Sequence, residues 1–237
     1  MIETRNIQQM AMKWLPPVAG VLLIVMFVSL ANWQLDRAEE KETTAALFDE
    51  NATPVELASV AEPLRFQPVT TRGRYLPEQQ FLIDNIVING RVGYYVVTPF
   101  EQAGGGEVML VNRGWIEKSR SGTTLPAIAV GDEVRNLTAR VGRLPRVALR
   151  PDRAVRPGQN WPKVAVYPEI SDLSSELGRP VSETVLLLGP EASDGYLRSW
   201  RPPEKGSMMH YGYAFQWSAL ALTVLVILVY QLRKKFR

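Results

Sequence analysis

The chain has no cysteine and only one histidine, His210, among its 237 residues. Without cysteine there are no disulfides, thiolate metal sites or cysteine nucleophiles. This is compatible with an oxidising compartment and does not demonstrate one. A Ser-His-Asp hydrolase needs an imidazole beside its nucleophile, and the only histidine here stands at the edge of an apolar run. No series of His, Cys or carboxylate residues has metal-ligand spacing. The triple glycine Gly104-Gly105-Gly106 lacks the lysine and following helix of a phosphate-cradling loop. Scattered Asp and Glu leave a carboxylate-pair hydrolase open as a minor reading. Repeats and low-complexity tracts are also lacking. These gaps point away from an enzyme and toward a binding or assembly role.

The middle of the chain has little net charge. Six of the 27 basic residues lie in the tails (Arg5, Lys13, Arg233, Lys234, Lys235, Arg237), opposed there by Glu3 alone of the 24 acidic residues. Residues 36–205 keep the other 21 basic and 23 acidic side chains. A balanced middle argues against a nucleic-acid partner, and the basic tails read as membrane topology.

Long apolar runs are what the chain does have. From Trp14 to Leu35 there is no charge, and a bilayer core of about 30 Å needs roughly 20 such residues in a helix. Pro16 and Pro17 are expected in its first turn, where a missing N–H costs little. Trp14 and Trp33 are placed as interfacial anchors. The rival is a cleaved signal peptide with Ser29-Leu30-Ala31 as its small-residue site. The length of the run and the position of Trp33 favour a retained helix; a mature chain beginning at Asn32 would refute it. The second run spans 208–232, and Arg233-Lys234-Lys235 follow at once. Basic residues beside both spans put both termini on the cytoplasmic side. The expected layout is a cytoplasmic tail (1–13), a first transmembrane helix (14–35), a periplasmic domain (36–207), a second transmembrane helix (208–232) and a basic cytoplasmic tail (233–237). The membrane would be a bacterial inner membrane.

After the first span, residues 36–51 continue as a helix rich in Ala, Glu and Lys, ended by Asn51 and Pro54. Short strand-like runs follow: 69–75, 81–89, 93–100, 108–115, 134–144, 164–170 and 184–188. The glycines at 104–106 make a hairpin connection. A short helix is expected from Ser171 as cap to Gly178 as stop. This pattern predicts an antiparallel, barrel- or sandwich-like β-rich domain, so the fold class is membrane-anchored α+β. The stretch Arg135–Arg156 holds seven arginines and one internal acid, Asp152. It reads either as a docking surface for anionic lipid or an acidic partner, or as a solvated, locally paired loop.

The second span opens with MMHYGYAFQWSA. On a helix, His210, Ala214 and Trp217 share a face, with Tyr213 beside them. A neutral imidazole near the outer leaflet can ligate iron. Ala214 would leave a hollow for a flat macrocycle, which Tyr213 and Trp217 would pack against. The alternative is an aromatic belt that happens to contain a histidine. Trp33, Gln34 and Arg37 leave the first span at the same depth and either wall such a pocket or anchor the helix.

Four separated stretches carry a resemblance: NWQLDRAEEK at the first helix exit, GYYVVTPF at 93–100, VMLVNRGWI at 108–116 and HYGYAFQW from His210. Together with two terminal spans, the chain resembles the surfeit-locus-one family of cytochrome c oxidase assembly factors. Residues 125–197 contribute little to the likeness. The resemblance implies a role in maturing haem-copper oxidases by delivering or retaining haem a. It implies oxidase subunits, haem a delivery machinery and the lipid bilayer as partners, and His210 as a candidate haem iron ligand. Arg113 could then pair with a haem propionate or could simply fix the β domain. A structural protein of the polysaccharide chain-length-regulator type is the alternative. It shares the two terminal spans and is expected to have a domain of long helices.

Overall fold

The computed structural model describes residues 2–49, 52–119, 124–147, 154–155, 158–200 and 206–235. Asn51, Arg150, Pro151, Asp152, Arg153, Arg156 and Arg237 lie outside the described residues. The chain divides into two compact units, Met1–Ala46 with Pro202–Arg237, and Leu47–Arg201.

The first unit is a helix pair, α1 (Ile2–Leu47) and α3 (Ser207–Lys235). Both contain spans long and apolar enough to cross a membrane, within Trp14–Leu47 and Ser207–Lys234. Lipid offers the backbone no hydrogen-bond partner, so an apolar span of this length is helical. α1 starts at Ile2, which places Pro16 and Pro17 inside the helix rather than in its first turn. The least exposed positions of α1 recur at 20, 24, 27, 31, 34 and 38, and those of α3 at 210, 214, 217, 221, 224 and 228. Alternating steps of three and four are the seam spacing of two helices packed side by side. Small residues let the backbones approach: Ala31, Ala38, Ala214 and Ala221 are all buried. The register is antiparallel. Phe27 stacks on Trp217 with ring centroids 5.6 Å apart, and one heptad further along Gln34 meets His210.

The second unit is built on eight strands, β1 (Val55–Glu56), β2 (Pro68–Tyr75), β3 (Phe81–Ile88), β4 (Arg91–Gln102), β5 (Val108–Glu117), β6 (Arg135–Gly142), β7 (Lys163–Ala165) and β8 (Val181–Leu188), with α2 (Ile170–Leu177) before the last. Their order is β1-β2-β6-β8-β5-β4-β3-β7, and an additional β2–β4 pairing closes β2, β6, β8, β5 and β4 into a five-stranded barrel. β4 makes closure possible by its length. Its first part pairs with β3 as a hairpin, and its end, from Phe100 to Gln102, pairs with β2. β8 enters late in the chain and runs parallel to β5 and antiparallel to β6.

Alternation along the strands sorts side chains to two faces. Val69, Phe100, Met109, Val111, Leu137, Ala139, Leu186 and Leu188 form one buried cluster, inside the barrel. Phe81, Val97, Leu110 and Val185 pack outside it under Leu173 and Leu177 of α2. The β-rich barrel expected from the sequence is thus present, antiparallel at every ring pairing except β5–β8, which run parallel. Its 164–170 run differs: only Lys163–Ala165 is strand, and Ile170 already begins α2. The N-cap of α2 is Glu169 rather than Ser171. The Asp172 carboxylate accepts from the Glu169 N–H at 2.8 Å, and Gly178 ends the helix as expected.

Candidate functional site

His210 faces the opposite helix. Its Nδ1 lies 2.8 Å from the Oε1 of Gln34, a side chain only 8% exposed. With the amide oxygen as acceptor, the ring proton sits on Nδ1 and the lone pair on Nε2. This is how histidine ligands are oriented: the second nitrogen donates to a fixed acceptor, which sets tautomer and ring plane. A ring nitrogen oriented in this way could ligate a metal ion. Polar groups in an apolar seam are costly unless partnered, and here the His210 Nδ1 and Gln34 Oε1 are partners.

The other expected members of this site divide. Trp217 lies in the seam, stacked on Phe27. Ala214 is buried, 4% exposed, in the seam between the two helices. Tyr213 and Trp33 are about half exposed and point away from the seam, with the Arg37 guanidinium 5.8 Å from the Trp33 ring. Gln34, which the sequence places only at the depth of His210, is the side chain that touches it.

Arg113 belongs to the β domain and is 2% exposed. Its Nε donates to the Asp194 carbonyl at 2.9 Å, and its Nη1 to Gln80 Oε1 and to the Ile128 carbonyl at 3.0 Å each. Gln80 in turn donates to the carbonyls of Pro77 and Ile128 and accepts from Thr98 Oγ1. The guanidinium also lies over the rings of Tyr75 and Tyr196 at 5.7 and 5.2 Å. These neutral acceptors engage the guanidinium inside the domain and tie the segment around Ile128 to the barrel. That is the structural role, and it leaves no fork of donors facing outward for a propionate. Neighbouring motif residues act likewise. Asn112 Oδ1 accepts from the Gly114 N–H, and Trp115 Nε1 donates to the Ile86 carbonyl.

The arginine-rich stretch is paired in its first part. Arg135 donates to Asp194 Oδ2 at 3.0 Å and bonds Glu133. Arg140 bonds the carbonyls of Leu47 and Phe66. Arg143 and Arg146 are exposed, with no hydrogen bond or ion pair among the described residues.

One buried group has a shifted titration. Burial first, and the Asp194 carboxylate beside it second, raise the Tyr75 phenol well above its ordinary range, and its buried Oη makes no close hydrogen bond among the described residues.

Residues 21–222 match the sequence model of the SURF1 family. The chain belongs to the SURF1 family. This SURF1 family chain is 32% identical over 99 residues to a SURF1-like protein of Rickettsia felis, a match covering 40% of the chain and 43% of that relative. It is 25% identical over 262 residues to a SURF1-like protein of Caenorhabditis elegans, covering 94% of the chain and 76% of the relative. It is 27% identical over 112 residues to the cytochrome oxidase assembly protein SHY1 of Saccharomyces cerevisiae, covering 44% of the chain and 29% of that protein. The matched stretch spans about two fifths of the rickettsial relative. The family match and the β-built domain together set aside the chain-length-regulator alternative, which needs long helices between its spans. Among the described residues, no three His, Asp or Glu side chains are grouped to hold a metal ion.

Proposed function

We propose that the chain is a non-enzymatic assembly factor for a haem-copper cytochrome c oxidase, and that it handles haem a during maturation of the catalytic subunit. Family membership and the likeness to an oxidase assembly protein support the general role. The observation that carries the haem reading is the 2.8 Å contact from His210 Nδ1 to Gln34 Oε1. It leaves Nε2 as the coordinating atom on a ring held in one tautomer. Haem a, when bound, would bring an apolar ring that must stay out of water and an iron that takes an imidazole. His210 would supply one axial ligand; the other would come from an oxidase subunit, the haem a delivery machinery or water.

The site would lie at the outer face of a bacterial inner membrane. Both basic-flanked termini would then be cytoplasmic and the β domain periplasmic. The full chain in detergent is expected to take up haem a, and His210→Ala to lower occupancy and alter the spectrum. Full occupancy with an unchanged spectrum in the variant would remove His210 as ligand. Deleting the protein is expected to abolish the haem a signal of the oxidase while haem b oxidases survive. An intact haem a signal would overturn the assembly role.

A further inference from the structure

β5 uses its two faces differently. Arg113 points to the barrel side with Met109 and Val111, so its neighbour Asn112 points to the other side with Val108 and Leu110. Asn112 is 3% exposed, and its Oδ1 is held by the Gly114 N–H at 3.0 Å. Its amide NH2 therefore faces outward from β5, and it finds no acceptor among the described residues.

That donor lines a cavity of about 410 Å³, within the range of small-molecule sites, roughly 300–1,000 Å³. Arg65, Arg143 and Arg146 also line it, and among the described residues no acidic side chain does. Arg65 lies over the Phe66 ring at 4.5 Å. Among the described residues of the arginine-rich stretch, Arg143 and Arg146 are the cations without a hydrogen bond or ion pair. The opposite wall is aromatic. Tyr95 and Trp200 are in ring contact at 5.8 Å, and the indole N–H of Trp200 is held by the Leu188 carbonyl at 2.9 Å. Three cations, one amide donor and two fixed rings call for a ligand with an anionic oxygen head and an apolar body.

We infer that this cavity is a binding site for an anionic phospholipid, with its phosphodiester on Arg65, Arg143, Arg146 and the Asn112 amide and its glycerol and upper acyl carbons against Tyr95 and Trp200. Arginine forks match phosphate oxygens bidentately. Three cations without a counter-charge repel the ammonium of a zwitterionic head, so net negative charge is selected. The chain's own membrane spans keep such lipids at high effective concentration. This site is separate from His210 and does not depend on haem binding.

The test is native mass spectrometry of the full chain in non-ionic detergent, titrated with dihexanoyl-phosphatidylglycerol, dihexanoyl-phosphatidylcholine, decanoate and inorganic phosphate. The expected result is one phosphatidylglycerol bound at least about tenfold more tightly than phosphatidylcholine. Arg143→Gln with Arg146→Gln should lose about tenfold or more of that affinity, the equivalent of one good charge-assisted contact. Both arginines are exposed, so melting temperature should be unchanged in the double variant. Raised salt should weaken binding by wild type more than by the variant. Equal binding of the two lipids, or full retention by the double variant, overturns the site. Displacement of the lipid by inorganic phosphate at matched concentration assigns the site to free phosphate. Tighter binding of decanoate assigns it to a carboxylate. Either result overturns the phospholipid assignment.

Discussion

Single side chains carry the most specific expectations. Arg113 is a full charge held by neutral acceptors in a closed domain, so losing it strands Gln80 and the Ile128 and Asp194 carbonyls. Breaking a buried charged network typically costs about 3–5 kcal/mol. Arg113→Met is therefore expected to lower thermal stability by that order, measured by near-UV circular dichroism; Arg113→Lys should recover little, because an ammonium cannot reach the same acceptors. A shift under about 1 kcal/mol would show that the network is redundant. Tyr75 gives an expectation in pH. Its folded-state pKa is raised above the unfolded value, so the unfolded chain ionises first as pH rises. Stability is full below about pH 10 and falls as pH climbs above it. Tyr75→Phe should flatten that fall in melting curves between pH 8 and 11, and should cost little at neutral pH because the Oη makes no close hydrogen bond among the described residues. Gln34 tests the haem reading. If it orients His210, Gln34→Ala should weaken haem a binding about 10–100-fold in equilibrium titrations. Unchanged affinity would make it only a tie between helices.

At the scale of elements, the hairpin of β4 and β5 depends on a close approach. A Cβ on Gly93 would sit 2.3 Å from the Ile116 carbonyl oxygen and 2.4 Å from the Trp115 ring. Gly93→Ala is expected to cost at least about 1–3 kcal/mol by overpacking, read as a lower unfolding midpoint in urea. Gly178 ends α2 at φ 67°, a left-handed conformation that costs roughly 1–2 kcal/mol in any residue with a Cβ. The longer strands and both spans were legible because their hydrophobic patterns are long and the turns between them carry glycine, asparagine or proline. β1 was not, since two residues show no period and pair only because β2 offers a free edge, and β7 was read too long because the run past Ala165 turns into α2 rather than continuing along β3. The cap of α2 was misplaced because Glu169 is a weak capping type, and it is Asp172 that closes the turn from inside the helix. His210 was found as the only histidine, and its partner was out of reach. Pairing positions 34 and 210 needs the register of two helices that are far apart in the chain. The same holds for Asn112, whose place on the outer face of β5 shows only once Arg113 is placed on the opposite one.

For the whole molecule, the absence of cysteine offers a clean measurement of topology. Ala103 is exposed on the loop after β4, and Ala103→Cys would carry the chain's only thiol. A membrane-impermeant maleimide is expected to label it in intact spheroplasts, as a periplasmic domain requires; labelling only after lysis would invert the proposed orientation. The closed ring of β2, β6, β8, β5 and β4 has a further consequence for how the protein is made. β8 is the last strand in the chain and sits between β5 and β6, so the ring stays open until residues 181–188 have been synthesised. A nascent chain halted before that point carries β5 and β6 as two unzipped edges. Housekeeping proteases and sticky neighbours would recognise such edges, so nonsense alleles upstream of Val181 should leave no stable fragment in the cell.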